Sequence, residues 1–425
     1  MVLAVSDSIR LDNAANIYPA SLSKHYASLY RMRITLTETV DVPTLQHALE
    51  RVSERIPSFR CGLKAGAFWW YLKKLDTTPE VLPLKGLSHF RAKEQKGLLY
   101  RVSADGKQIV LDVFHALADG HGALTFLATL TGEYLRERYG LSIAYDSLVL
   151  DPSDKPLYAE MEDSFKSVFS GRKGELEQNE DAYHIRGDVF PTGTVQDLRV
   201  VMSQERIREA CRSYSCTVTE LLTAAMLAAL QEEHRTDPNP FRRSVLKVSV
   251  PVNLRPMYGS RTLRNFSSYV NLGVDVCDGY LTFAQLVKKV RAQKTHLLYP
   301  ENLEPKIAAN VALEENPFVC CLPLLVKHPT IDIINRLHGD RFCSQTLSNL
   351  GQVRLPEAMQ AYVTDMDFVL GRQRGNSGAC SCVGYGSKLY LHLSRKIARD
   401  GFEQALLHQF RALGIPCSTL LTRLA

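Results

Sequence analysis

Apolar and polar positions recur along the chain in patterns that set out its elements before any chemistry is considered. Alternating apolar positions over residues 30–37 predict a strand. Asp41 stands where a helix N-cap is expected, and Leu45, Ala48, Leu49, Val52 and Ile56 follow at helical spacing until Pro57 stops the helix. The run Gln-Ile-Val-Leu-Asp-Val-Phe at 108–114 has strand composition. Leu124, Leu127, Thr131 and Tyr134 mark the inner face of a further helix, so His115 sits where a strand hands over to a helix.

Residues 151–194 break this regularity. They are polar, charged and irregular, and include the run G-R-K-G-E-L-E-Q-N-E-D, a composition shift that reads as the connection between two halves. It divides an N-terminal lobe, 1–180, from a C-terminal lobe, 181–425. The second half starts again with a strand at 198–202. Thr217 and Glu220 then form a capping box for a helix that carries Val218, Leu221, Leu222, Ala225 and Ala229 on one side. Strands follow at 245–252, 268–274 and 388–393, and a last helix, capped by Asp400, presents Phe402, Leu406 and Phe410. The apolar stretch 318–326 around Cys320 and Cys321 reads as a buried strand, and Phe68-Trp69-Trp70-Tyr71 reads as core packing. Strands and helices mix in similar order in both halves, so the fold class is α/β.

Composition narrows the picture further. At 425 residues, 45% hydrophobic and 23% charged, the chain suits two folded domains with ample cores. Its apolar runs stay well short of the roughly 20 residues a bilayer requires. Residues 1–20 lack the basic start, apolar block and cleavage site of an export signal, so a cytoplasmic location is expected. The ten cysteines follow no zinc spacing, and Cys380-x-Cys382 has the wrong gap, so reduced thiols and no metal are expected. A net charge of +6 is compatible with an anionic co-substrate and shows no basic block of the kind that binds nucleic acid.

Candidate chemistry concentrates in Phe-His-Ala-Leu-Ala-Asp-Gly-His-Gly, residues 114–122. An imidazole titrates near neutral pH, so His115 could take a proton from a hydroxyl or thiol and return it to a leaving group. Asp119 could orient the loop or the ring, and Gly120 and Gly122 would let the backbone turn and leave room for a substrate. His121 is an alternative base, and a structural histidine at a strand end is the alternative to either.

The segment His-Ala-Leu-Ala-Asp-Gly resembles the H-x-x-x-D-G signature of the chloramphenicol acetyltransferase-like superfamily, which includes alcohol acyltransferases, peptide-synthetase condensation domains and polyketide-associated acyltransferases. Residues 39–60 are similar to that family's first helix and its exit. Val-Pro-Val-Asn-Leu-Arg at 250–255 and Arg-Asn-Phe at 264–266 resemble its arginine-bearing strand end and its Asn-Phe element. Thr-Leu-Ser-Asn-Leu-Gly at 346–351 resembles the Ser-Asn-Leu-Gly segment of bacterial alcohol acyltransferases and dihydrolipoyl acyltransferases. Two features depart from relatives: Phe114 stands where condensation domains carry a second histidine, and the Asp-Phe-Gly-Trp-Gly element of plant enzymes is absent. Both favour a free-standing bacterial-type O-acyltransferase.

The resemblance implies two α/β lobes, each a mixed, mainly antiparallel sheet flanked by helices, with an active-site tunnel between them. It implies transfer from acyl-coenzyme A, a co-substrate and not a tightly bound cofactor, to a small-molecule alcohol or amine. His115 would be the general base, and Asp119 would pair with an arginine, for which Arg255 is the matching position. Gly120 and Asn265 would support the site, and the hydroxyl of Ser348, or of Thr346, would steady the oxyanion. Two other readings remain: a condensing or offloading enzyme fed by an acyl carrier protein, and a non-catalytic protein that retains the fold.

Overall fold

The computed structural model describes residues 8–21, 28–87, 92–172, 174–175, 180–327 and 340–424. Two main sheets carry the architecture. The first has five strands in the order Val363–Leu370, Leu29–Leu36, Gln108–Phe114, Tyr100–Asp105 and Val81–Pro83, antiparallel except for the last pair. The second has seven: Ser267–Asp275, Val245–Asn253, Gln345–Val353, Gly378–Tyr385, Lys388–Arg395, Val195–Ser203 and Cys417–Leu424. In it the strand Gln345–Val353 is parallel to both neighbours and the other pairs are antiparallel. Both sheets are thus mixed, mainly antiparallel and flanked by helices. A small third sheet joins Ser8–Arg10 to the hairpin Cys61–Ala65 and Trp70–Lys74.

Local chemistry explains the helices that matter here. Asp41 accepts the Thr44 N–H at 3.0 Å and opens Val42–Arg55, with Leu45, Ala48, Leu49 and Val52 fully buried against the first sheet's core. The Thr217–Glu220 capping box opens Val218–Thr236, the central helix of the second core. Gly401–Ala412 buries Phe402, Leu406 and Phe410 there, but the Asp400 side chain accepts from the Gln404 amide and does not cap the backbone. Apart from two short helical stretches, Tyr158–Glu160 and Ser164–Phe169, the connection after Leu150 is irregular, and residues 173 and 176–179 within it lie outside the described residues.

Two sequence expectations fail in informative ways. The 318–326 stretch is not a buried strand: Pro317–Cys321 is a short helix opened by Asn316, and Phe318 and Leu325 are 86% and 89% exposed. A short apolar run with Asn-Pro ahead of it obeys the capping signal over its composition. Of the aromatic run, Trp69 is buried between the Arg10 guanidinium at 3.7 Å and the Lys327 ammonium at 3.4 Å, whereas Phe68 is exposed. Among the described residues no single helix is long and apolar enough to cross a membrane.

The chain crosses between the sheets late. Val363–Leu370 leaves the second half to pair with Leu29–Leu36, and it presses Asp367 against the larger sheet. There the buried His392 donates from Nδ1 to Asp197 at 2.8 Å and from Nε2 to Asp367 at 2.9 Å, while Arg199 reaches the same Asp367 oxygen at 2.6 Å. Burial opposes its charge, but the two carboxylates overcome that and push His392 up to about 9. A raised folded value against an ordinary 6.5 gives stability that is complete below about pH 6.5 and lost as pH rises towards 9. We therefore expect unfolding free energy to fall across that window, and His392→Gln to flatten the slope. Urea titrations at several pH values test this, and an unchanged slope in the variant would remove His392 from the account.

Candidate active site

The strand Gln108–Phe114 delivers its chain to the helix Gly120–Tyr139 through a tight turn in which the Leu117 N–H bonds the Phe114 carbonyl at 2.9 Å. His115 lies on that turn, anchored by its own N–H to the Ser28 carbonyl at 2.9 Å. Its ring is half-buried, stacked on Tyr18 with centroids 4.4 Å apart and met edge-on by Tyr30 at 5.1 Å.

The residue's own carbonyl and Asn265 both take part in hydrogen bonds with this imidazole. The Asn265 amide nitrogen is committed to the buried carboxylate of Asp12, at 3.3 Å, which leaves Oδ1 facing His115 Nδ1 at 3.1 Å. An oxygen acceptor requires Nδ1–H, so Nε2 carries the free lone pair. Burial pushes the His115 imidazole below its ordinary value, and its hydrogen bonds and the charge of Asp119 offset this only in part. The neutral form is thus the resting form at neutral pH. Burial likewise pushes the Asp12 carboxyl up to about 7 against the pull of Arg264.

Asp119 makes no hydrogen bond to the imidazole. It caps the helix through Gly122 N–H at 3.1 Å, accepts Phe266 N–H at 2.9 Å, and receives both Arg255 Nη atoms at 2.8 and 3.0 Å. These four bonds occupy all the acceptor sites of the carboxylate and leave none for His115 or a substrate. Burial alone would raise its value, but the Arg255 charge and these bonds hold Asp119 below the usual carboxylate range. Arg255 is itself buried and also donates to the Thr262 and Arg264 carbonyls.

The glycines do something other than make room for a ligand. A Cβ on Gly122 would lie 2.0 Å from the Leu263 carbonyl oxygen, and one on Gly120 would lie 2.8 Å from Leu350 Cδ2. Their bare backbones let segments of the second half close down on the turn that carries His115.

The chain superposes on polyketide synthase associated protein 5 from Mycobacterium tuberculosis with a TM-score of 0.62 at 16% identity, over 94% of this chain and 96% of that one. It superposes on F. graminearum TRI101, complexed with coenzyme A and T-2 mycotoxin, with a TM-score of 0.63 at 12% identity, over 99% and 100%. The first condensation domain of the calcium-dependent antibiotic synthetase, in complex with a substrate analogue, gives 0.62 at 15%, over 96% of each chain. The chain has the chloramphenicol acetyltransferase-like fold. No protein-family model and no curated protein matches its sequence.

On the chloramphenicol acetyltransferase-like fold, four of the residues singled out from sequence meet in two pairs. His115 meets Asn265, and Asp119 meets Arg255. Ser348 lies on Gln345–Val353 opposite Leu347, which is buried in the second core, so Ser348 and Thr346 share the other face. Its register partner Ser381 donates to the Phe368 carbonyl at 2.6 Å, so this face looks towards the first sheet. Among the described residues Ser348 has no hydrogen bond to His115, Asp119, Arg255 or Asn265. His121, half-buried, is pushed down by burial and by the nearby Arg255 charge. Asp12, Tyr18 and Tyr30 were missed: Tyr30 donates to the Ala118 carbonyl at 2.8 Å, and no periodicity or spacing ties any of the three to His115.

Proposed function

We propose that this chain is an acyltransferase that moves an acyl group from acyl-coenzyme A to an acceptor hydroxyl, with His115 as the general base. The observation that carries this reading is the imidazole itself: held neutral by burial, with its proton on Nδ1, it keeps a lone pair at Nε2. In this mechanism Nε2 removes the acceptor's proton as its oxygen attacks the thioester carbonyl. The tetrahedral intermediate collapses, and the same proton passes from Nε2 to the departing sulfur. The Ser348 hydroxyl, on the face towards the first sheet, would steady the oxyanion. Asp119, Gly120, Arg255 and Asn265 keep the turn and the ring in place without touching substrate. Coenzyme A in the TRI101 structures supports the donor class, and the ten free cysteines suit a reducing cytoplasm.

Likeness to a condensation domain favours a second reading, in which the acyl group arrives on a carrier protein and the acceptor is an amine. A donor test separates the two. A coenzyme A site meets nucleotide phosphates with cationic side chains or backbone N–H groups, which a pantetheine arm lacks the anions to use. We expect acetyl-coenzyme A to raise the melting temperature more than acetyl-pantetheine across a concentration series, as ligand linkage to the native state requires. A thiol-release screen with acetyl, octanoyl and palmitoyl donors against alcohols and amines then identifies the acceptor. Equal protection and equal rates with both donors would transfer the assignment to the carrier-protein reading.

A further inference from the structure

The run Asn-Pro-Phe-Val-Cys-Cys-Leu-Pro-Leu-Leu-Val, residues 316–326, carries no charged side chain. In the fold it turns most of its large apolar groups to solvent: Phe318, Leu322, Leu325 and Val326 are 86%, 41%, 89% and 54% exposed, and of its leucines only Leu324 is buried. Apolar side chains scattered singly over a surface need no explanation, but several in one short segment do.

The segment is also held in place. The Leu324 N–H bonds the Ala67 carbonyl at 2.8 Å, and the buried Lys327 ammonium donates to the Phe68 carbonyl at 2.9 Å while it sits over the Trp69 ring. These bonds seat the segment on the tip of the hairpin Cys61–Ala65 and Trp70–Lys74, where Phe68 is itself 45% exposed. Phe68 thus joins the exposed side chains of the segment bound to its hairpin.

The same hairpin supplies cations. Tyr71 pairs with both Arg10 and Lys64, and Lys73 stands two residues on, so Arg10, Lys64 and Lys73 share one face of the small sheet. Cys61 and Leu72 lie on the other face, buried in the first core, so the cationic face is the outer one. Lys64 and Lys73 are exposed. Arg10 pairs with Glu314, a buried carboxylate that Lys166 also meets, so this acid is already neutralised.

Apolar groups beside lysines match an anionic lipid surface, whose headgroups attract the ammonium groups while the acyl boundary takes up the apolar side chains. A second copy of the chain fits less well, since pairing this surface with itself brings Lys64 and Lys73 of each copy against those of the other. We propose that the 316–326 segment and the Cys61–Lys74 hairpin dock this protein on bilayers that contain anionic phospholipid. The hairpin also pairs with Ser8–Arg10, at the head of the stretch that carries Tyr18 onto the His115 ring, so one short length of chain joins the docking surface to the candidate site.

The test is flotation of the full chain with vesicles of phosphatidylcholine alone, or with about 30% phosphatidylglycerol added. The protein is expected to float with the anionic vesicles and far less with the neutral ones. Raising the salt from about 0.05 to about 0.5 M should weaken binding to the anionic vesicles, because screening removes the electrostatic part. Phe318→Ser with Leu325→Ser should lower the partition coefficient about 10-fold or more, through the loss of two apolar side chains. Lys64→Glu with Lys73→Glu should lower it by about 10-fold or more on anionic vesicles and by little on neutral ones. All four side chains are exposed, so both double variants should melt as the wild type does.

A wild type that stays out of the floated fraction overturns the proposal, as does binding that either pair of substitutions leaves unchanged. Self-association in sedimentation, lost in Phe318→Ser with Leu325→Ser while anionic vesicles are ignored, would assign the surface to a second copy instead. Should one double variant fail to fold, the other and the salt and lipid dependence of the wild type still decide. None of these readouts uses turnover, so docking and the acyltransferase reading stand or fall separately.

Discussion

Replacing His115 with alanine should lower acyl transfer by about two to four orders of magnitude while leaving the fold and donor binding in place, the range a positioned general base contributes. The ring is half-buried on a turn whose backbone bonds to the Ser28 and Phe114 carbonyls do not need the imidazole. Its loss therefore removes a stacking contact with Tyr18 and the Asn265 hydrogen bond, and no core layer. The pH profile carries a second signature. Because burial lowers the folded value, His115 stays a base at neutral pH and protonates only as pH falls, so the acid limb of kcat/KM should lie below pH 6.5. Thiol release measured from pH 5 to 9 on wild type and variant checks both statements. Near-wild-type turnover in His115→Ala would eliminate it as the base and turn attention to His121.

The second large effect belongs to Asp119 and Arg255. Each is about 5% exposed, and each is the other's counter-charge in a bidentate pair. Removing either leaves a buried charge without its partner, which typically costs about 3–5 kcal/mol. Asp119→Ala also strips the N-cap of Gly120–Tyr139 and orphans the Phe266 N–H, so the second half loses its hold on the turn that carries His115. Both single variants should unfold at lower urea concentration and lose activity. The double variant should be less destabilised than the sum of the two, because the pair is counted once in it and twice in the singles. Losses that add in full, measured by urea denaturation at pH 7, would show that the two side chains act independently.

Elements were legible from sequence where one signal was strong and local. The helix after Asp41 and the Thr217–Glu220 box each bring a cap together with helical periodicity, and local hydrogen bonds carry such signals wherever the segment ends up. The strands Gly378–Tyr385 and Val363–Leu370 escaped that reading. The first is buried on both faces, so it has no alternation to show; the second is defined by a partner some 330 residues away. The 318–326 stretch misled because a run of apolar residues says nothing about whether they are covered.

For the site, the letters of residues 114–122 pointed to an imidazole at a strand end and to a carboxylate four residues on, since both lie within one turn of chain. They also marked two glycines, although for the wrong reason: the space beside them is filled by Leu263 and Leu350. What the sequence alone determined is therefore chemical identity and local geometry. Which nitrogen of His115 is free, which way Asp119 points and what Gly122 makes room for depend also on Asn265, Arg255 and Leu263, 136 to 150 residues along the chain from their partners at the turn. Those contacts exist only once two sheets have closed on each other, because hydrogen-bond direction and burial are properties of an assembled neighbourhood and no single segment carries them.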